Sequence, residues 1–257
     1  MQTILSGMNI SMARKIKLSV IVPCYNEAKN IPLVLERFSD ALNNWKLPKE
    51  LVELILVNNN SKDNSAQVLT KELKKKKNSF AKIVFEGEPG YGTAIYKGLT
   101  SARGEFICWT HADLQTDPKD ILRGLDIIKN QSKFVKVYVK GKRYGRPLFD
   151  SFFTFGMSIF ETSYMKKLLY DINAQPNLFH HSLLRLMTSP PRDFSFDLYA
   201  YYLAKKNGYK IIRFPVLLGK RIHGKSTWNS GIKSRIQFIK RTISFSIKLK
   251  RNIQNAA

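Results

Sequence analysis

The sequence predicts an α/β fold on a mainly parallel sheet with helices on both faces, and three observations carry that expectation. Short β-branched runs alternate with stretches of helical periodicity through the first half of the chain. The runs end at polar or turn-forming clusters. The length, 257 residues, suits one large α/β domain or two small ones with a sizeable core.

Leu18–Val22 is a β-branched run halted by Pro23 and reads as a buried strand. Glu27–Leu42 places Ile31, Val34, Leu35, Phe38 and Leu42 at helical spacing. Val52–Val57 is a second strand, closed by the turn cluster Asn58–Asp63, after which Asn64 or Ser65 is placed to cap a helix. Ile83–Phe85 reads as a third strand and Gly90–Arg103 as a glycine-led loop and helix. Glu105–Thr110 is a fourth strand, and Asp117-Pro118 opens another helix with proline in a tolerated first-turn position.

The second half is less regular. Val135–Val139 reads as a strand leading into Lys140-Gly141-Lys142-Arg143, and Pro147–Met157 holds Phe149, Phe152, Phe153 and Phe155. Phe196–Lys206 reads as a helix and Tyr209–Val216 as a strand. Ile232–Leu249 sets Ile232, Ile236, Ile239, Ile243 and Ile247 on one helical face, with Lys233, Lys240, Arg241, Lys248 and Lys250 largely elsewhere. The expected organisation is an N-terminal extension (1–16), a catalytic domain (17–230) and a basic amphipathic C-terminal helix (231–257).

Composition narrows the partners. The formal net charge is +24, mostly from lysine, which favours an anionic partner: nucleic acid, an acidic membrane face or a phosphorylated substrate. A nucleic-acid-binding protein would carry zinc-ligand spacing, an RNA-recognition signature or a helix-turn-helix, and none is found. Cys24 and Cys108 are too few for a disulfide framework, so a reduced setting is the simplest inference. Met1–Arg14 does not read as a signal peptide. No apolar run approaches the roughly 20 residues that span a bilayer. The expected location is the cytoplasm, with peripheral contact at the inner face of the membrane.

Ligands of open α/β sheets bind beyond the carboxyl ends of the strands. Polar motifs follow Val22, Val57, Phe85 and Thr110, which points to one site. Past the fourth strand, His111, Asp113 and Gln115 alternate and so face one way in extended chain. Such a cluster can grip a divalent cation, magnesium or manganese, that also binds substrate phosphates. The segment equally fits a helix-capping turn, because Thr116 and Asp117 precede Pro118.

Five motifs in order then carry a resemblance. They are Pro23-Cys24-Tyr25-Asn26-Glu27, Val57–Asp63, Gly90-Tyr91-Gly92-Thr93-Ala94 with Gly98, His111-Ala112-Asp113-Leu114-Gln115, and Arg221–Ser226. Together they resemble the family 2 glycosyltransferases of the GT-A fold, in the branch of polyprenol- and dolichol-phosphate sugar transferases, over roughly residues 17–230. The resemblance implies that Pro23, Tyr25 and Glu27 line a nucleotide pocket, that Asn59 contacts the base, and that Gly90 and Gly92 belong to the donor site. It implies that Asp113 binds donor and metal with Gln115 assisting, and that Arg143, Arg221 and Ser226 hold phosphate. Arginine suits that task because its planar fork pairs bidentately with phosphate oxygens. A surface salt bridge is the alternative for Arg221.

Two positions depart from the family pattern. His111 stands where the family has aspartate, and neutral imidazole is a poor magnesium ligand. Either Asp113 and Gln115 hold the metal nearly alone, or manganese is preferred, or metal matters less. Asn58-Asn59-Asn60 replaces D-D-G, which leaves the base open.

The implied reaction is inverting transfer of a sugar from a nucleotide diphosphate to polyprenyl phosphate in cell-surface glycan or glycolipid synthesis. A phosphomonoester needs no general base, since its second pKa is about 6. A saccharide hydroxyl acceptor would need one, and Asp197 is the candidate, with Asp193 nearby also suited to helix capping. Asp171–Pro176 lies where the family has acceptor-side residues. The phenylalanines of Pro147–Met157 suit either an isoprenoid chain or a buried core, and the basic tail either an anionic membrane or ordinary helix packing. The remaining alternatives are a degenerate fold that only binds sugar nucleotides and a nucleic-acid-binding protein.

Overall fold

The computed structural model describes residues 16–145, 148–223 and 232–254. Seven strands form one sheet: β1 (Leu18–Cys24), β2 (Val52–Asn59), β3 (Ala81–Glu86), β4 (Phe106–Trp109), β5 (Val137–Tyr144), β6 (Asn177–His180) and β7 (Lys210–Leu217). Their order is β3-β2-β1-β4-β6-β5-β7. The pairs β1–β2, β1–β4, β2–β3 and β5–β7 are parallel. The short β6 runs antiparallel to both β4 and β5, so it joins two parallel blocks.

The helices are α1 (Ile31–Asn44), α2 (Ser65–Leu73), α3 (Tyr91–Thr100), α4 (Pro118–Lys129), α5 (Leu148–Met165), α6 (Phe196–Lys206) and α7 (Ile232–Gln254). Alternation along the strands sorts the core into two layers. Val20, Val22, Leu54, Leu56 and Cys108 face α1 and α4, through Val34, Leu35, Phe38, Ile121, Leu122 and Leu125. Ile21, Ile55, Val57, Ile107 and Trp109 face the other way, toward Ile95, Leu99, Phe196 and Tyr201. Both layers being filled is why β1, β2 and β4 read as nearly continuous apolar runs.

Local chemistry sets the helix starts. α1 begins at Ile31, the first of its periodic apolar residues, after a turn in which the Asn30 and Ile31 amides donate to the Glu27 carbonyl at 2.9 and 3.0 Å. The cap of α2 is neither Asn64 nor Ser65: Asp63 Oδ1 accepts from the Ser65 amide at 2.9 Å. Asp117 caps α4 by accepting from the Lys119 amide. The phenylalanine-rich segment turns out to be part of α5, with Phe155 64% exposed.

The C-terminal segment is helical, but its packed side is not the isoleucine stripe. Among its described residues Thr242, Ser246 and Leu249 are buried, while Ile236 is 45% exposed and Ile239, Ile243 and Ile247 are half-buried. The reason is a polar anchor on α5. Glu161 is fully buried, and both its carboxyl oxygens lie 2.8 Å from Ser246 Oγ. That hydroxyl is also 2.8 Å from the Thr242 carbonyl. One hydroxyl proton cannot serve three acceptors, and burial pushes Glu161 up to about 7. A protonated Glu161 donating to Ser246, which donates in turn to Thr242, satisfies the group.

Cys24 and Cys108 are buried and unpaired, and burial pushes both thiols up, far from reactive thiolate. Among the described residues no helix is long and apolar enough to cross a membrane.

Candidate active site

The carboxyl ends of β1, β2 and β4 converge, and each is followed by a non-glycine residue in the left-handed region: Asn26 (φ 57°), Asn60 (φ 53°) and Leu114 (φ 59°). Such conformations cost of the order of 1 kcal/mol or more each and cluster at functional sites. The loops after β1 and β2 hold one another. Asn26 Oδ1 accepts from the Lys62 amide at 2.7 Å, the Glu27 amide donates to Ser65 Oγ at 2.9 Å, and the Ala28 amide donates to Asp63 at 3.2 Å. This presents Tyr25, 47% exposed, and half-buried Pro23 and Glu27 at the rim. Burial raises the Glu27 carboxyl, offset by its hydrogen bond from Asn30, and Asp113 raises it further.

Asp113 is buried, and both its oxygens are engaged. Oδ1 accepts from the Gln115 amide at 3.2 Å, and Oδ2 pairs with Arg221 Nη2 at 2.8 Å. Arg221 rides on a segment, Leu218–His223, that leaves β7 and crosses the end of β4. Gly219 donates to the Gln115 carbonyl at 2.8 Å, and Gln115 Nε2 donates to the Gly219 carbonyl at 3.0 Å. Asn30 Nδ2 reaches the His223 carbonyl at 3.5 Å. His111 lies against Tyr91, ring centroids 5.4 Å apart and 18° between planes, and Tyr91 stacks in turn on Phe194 at 4.6 Å.

Below that stack sits Asp197, 1% exposed. Its Oδ1 accepts from Trp109 Nε1 at 2.9 Å, Asn177 Nδ2 at 3.1 Å and Gln175 Nε2 at 3.2 Å, and its Oδ2 from the Tyr91 hydroxyl at 3.1 Å. Burial, then Asp197, pushes the Tyr91 phenol well up, so it stays a donor. Asp193 accepts from the Ser195 amide at 2.9 Å, a turn role ahead of α6.

Gly90 and Gly92 serve a crossing of chains. A Cβ on Gly92 would collide with the Pro191 carbonyl, and one on Gly90 (φ +154°) with the Arg192 carbonyl. The first amides of α3 are thereby occupied: Gly92 and Thr93 both donate to the Arg192 carbonyl, at 2.9 and 3.3 Å. Asn59, 4% exposed, donates to the Glu88 carbonyl at 2.7 Å and accepts from the Gly90 amide at 2.8 Å. It ties β2 to this loop.

Arg143 lies within the fold. It pairs with Asp171 through its guanidinium and its own amide, and Arg213 approaches the same carboxylate at 3.7 Å. Although burial alone would raise Asp171, the Arg143 guanidinium holds it below the usual carboxylate range. Lys140 is fully buried, donating to the Ala174 carbonyl at 2.7 Å and to Asn177 Oδ1 at 2.6 Å. Burial pushes it down to about 7, with Asp197 opposing. Ser226 lies outside the described residues.

The structure thus brings Asp113, Gln115, Arg221 and Glu27 to one mouth, with His111 stacked beside them on Tyr91, and pairs Arg143 with Asp171. Sequence reasoning missed Tyr91 and Lys140. Tyr91 stood inside the glycine motif and carried that signal; a lysine between Val139 and Gly141 carried none. A metal fits on chemical grounds. Asp113, His111 and Gln115 offer a carboxylate, an imidazole and an amide, donor types that suit manganese better than magnesium. Among the described residues no three His, Cys, Asp or Glu side chains converge on one point, so the ligand's own phosphates would complete the shell.

Residues 19–187 match the family model described as glycosyl transferase family 2. The undecaprenyl-phosphate 4-deoxy-4-formamido-L-arabinose transferase of Yersinia enterocolitica is 35% identical over 115 residues, 44% of this chain and 34% of that protein. The protein of the same name from Photorhabdus laumondii is 37% identical over 107 residues, 42% and 32% of the two chains. The chain thus spans about a third of the length of these curated relatives. Glucosyl-3-phosphoglycerate synthase from Mycobacterium tuberculosis, solved with uridine diphosphate, superposes with a TM-score of 0.68 at 17% identity, covering 91% of this chain and 79% of that one. A mannosyltransferase from Pyrobaculum calidifontis, solved with GDP-Man and Mn2+, gives 0.65 at 20% identity, covering 91% and 65%. At such identities the likeness is one of fold, the GT-A arrangement.

Proposed function

The chain belongs to glycosyl transferase family 2, and on that premise we propose that it moves a sugar from a nucleotide diphosphate to the phosphate of a polyprenyl phosphate, with inversion. The observation that carries the acceptor is Asp197. A hydroxyl acceptor needs a base with a free lone pair facing the substrate. The carboxylate best placed by sequence is buried and already accepts from four donors. A phosphate acceptor, largely dianionic above pH 6, needs none. The names of the curated relatives support the same acceptor.

In this reading Pro23, Tyr25 and Glu27 receive the nucleoside, and Asn59 positions the wall beside it. Asp113, with His111 and Gln115, would hold a divalent metal against the donor diphosphate. Such a metal would supply Lewis-acid neutralisation of the leaving group. Arg221 pairs with the same diphosphate as charge develops on its leaving oxygen. The acceptor phosphate oxygen attacks the anomeric carbon opposite the departing diphosphate, forming one C–O bond as the other breaks, and no proton moves. In-line placement and charge neutralisation carry the rate.

The exposed Phe155 (64%), Ile159 (52%) and Ile236 (45%) on α5 and α7, with exposed Lys240, Arg241 and Lys248, support contact with an anionic membrane surface where such an acceptor resides. Extraction of radiolabelled product tests the acceptor. With a panel of nucleotide sugars and undecaprenyl phosphate in anionic vesicles, label enters the organic phase. The rate rises with pH through about 6 and then levels. Label found only on water-soluble saccharides, with a rate that still climbs above neutrality, would replace the lipid phosphate by a hydroxyl acceptor.

A further inference from the structure

We infer that Arg221 competes with the metal for Asp113, and that this exchange makes metal and nucleotide bind cooperatively. The inference rests on the site reading above. It deepens that reading by assigning Arg221 a positioning role before any phosphate arrives.

A buried carboxylate needs a countercharge. Asp113 is 8% exposed at its side chain, and its ion pair is with Arg221, 26% exposed, at 2.8 Å. A divalent cation at the same carboxylate would sit within a few ångströms of the guanidinium. Like charges at that range repel strongly in a partly buried site. The metal alone must therefore displace Arg221, and Arg221 has little to move to. Glu27 is the neighbouring carboxyl, but its charge is disfavoured by burial and it is already hydrogen-bonded to Asn30. A diphosphate changes the balance. It offers Arg221 a bidentate anionic partner and gives the metal further oxygen ligands, so both cations gather on it. By linkage, each of metal and nucleotide then strengthens the other by the same factor.

The exchange is confined to the side chain. Arg221 belongs to Leu218–His223, which is pinned to the β4 end by the two Gly219–Gln115 hydrogen bonds. Occupation of Asp113 by metal frees the Arg221 side chain, while the Gly219–Gln115 bonds and the Asn30–His223 contact hold the backbone in place.

Manganese titration followed by loss of the hexaaquo electron-paramagnetic signal measures metal binding without turnover. Equilibrium dialysis of UDP and GDP, with and without manganese, measures nucleotide binding. For Arg221→Gln the expected result is manganese alone bound about two- to fivefold tighter, because a partly exposed ion pair of this kind no longer has to break. Nucleotide alone binds more weakly, and the cooperative factor shrinks toward one. Arg221→Lys keeps the charge and stays near the parent for manganese. A purely structural Arg221 would weaken both ligands and lower the melting temperature. Manganese affinity unchanged or weaker in Arg221→Gln, in a protein with the parent melting temperature, overturns the exchange while leaving the site intact. If instead Asp113→Asn binds manganese as the parent does, the metal-site reading itself falls.

Discussion

The mouth of the sheet and the block of β5, β6 and β7 treat charge in opposite ways. Around β1, β2 and β4, polar side chains sit at the surface of a mouth, held by backbone turns, and the ion pair Arg221–Asp113 closes across it. Around β5, β6 and β7 the charges are turned inward and matched to one another. Arg143 and Arg213 share Asp171, and Lys140 reaches Asp197 through Asn177. The mouth leaves its ion pair partly open to solvent, whereas the charges around β5, β6 and β7, like Glu53 of β2 with Lys82 and Arg103 at the opposite end of the sheet, are matched within the fold. Net positive charge alone would not have separated these uses.

Removing the shared anion should break the second half most severely. Asp171→Ala leaves two buried guanidinium groups facing one another, and we expect a loss of about 3–5 kcal/mol, measured by urea denaturation. An equal loss on replacing exposed Asp117 would erase the contrast.

A smaller effect should come from the α5–α7 contact. Glu161 has a folded pKa of about 7, above its unfolded value near 4.5. The folded state therefore holds a proton that the unfolded state has lost between those values. That stabilisation is full below about pH 4.5, is lost as pH rises through about 7, and amounts to about 3 kcal/mol. Glu161→Gln should remove that part of the slope, seen as the difference between the two proteins' denaturation midpoints at pH 5 and pH 8. Parallel slopes would show that Glu161 is ionised throughout.

The smallest effect lies on the seam between the halves. Tyr91→Phe keeps the stack with His111 and Phe194 but removes the hydroxyl bonds to Asp197 and Gln175. Three donors to Asp197 remain, so about 1 kcal/mol of stability should be lost. A loss above 3 kcal/mol would mean the seam holds the two halves together more than either holds itself.

Legibility followed the same division. Leu18–Val22, Val52–Val57 and Glu105–Thr110 were readable because strands buried on both faces are apolar throughout. The four-residue β6, Asn177–His180, was not, because its asparagine and histidine carry no strand signal and its place is set by neighbours distant in sequence. The tail was readable as a helix but not in its rotation, since a buried acid on α5, not the isoleucine stripe, chooses the packed side. In the site, Asp113 was found from its place after β4. The occupancy of Asp197 and the inward turn of Arg143 depend on residues 20 to 106 positions away, and no local pattern encodes such partners.

The two buried cysteines make the protein convenient to interrogate. Their thiols are shielded and held in the unreactive form, and the chain has no others. A cysteine introduced at Ile222, an exposed position beside Arg221, would be the one thiol that a maleimide dye reaches quickly. A label there would turn the departure of Arg221 from Asp113 into an optical signal, readable in real time as ligand arrives.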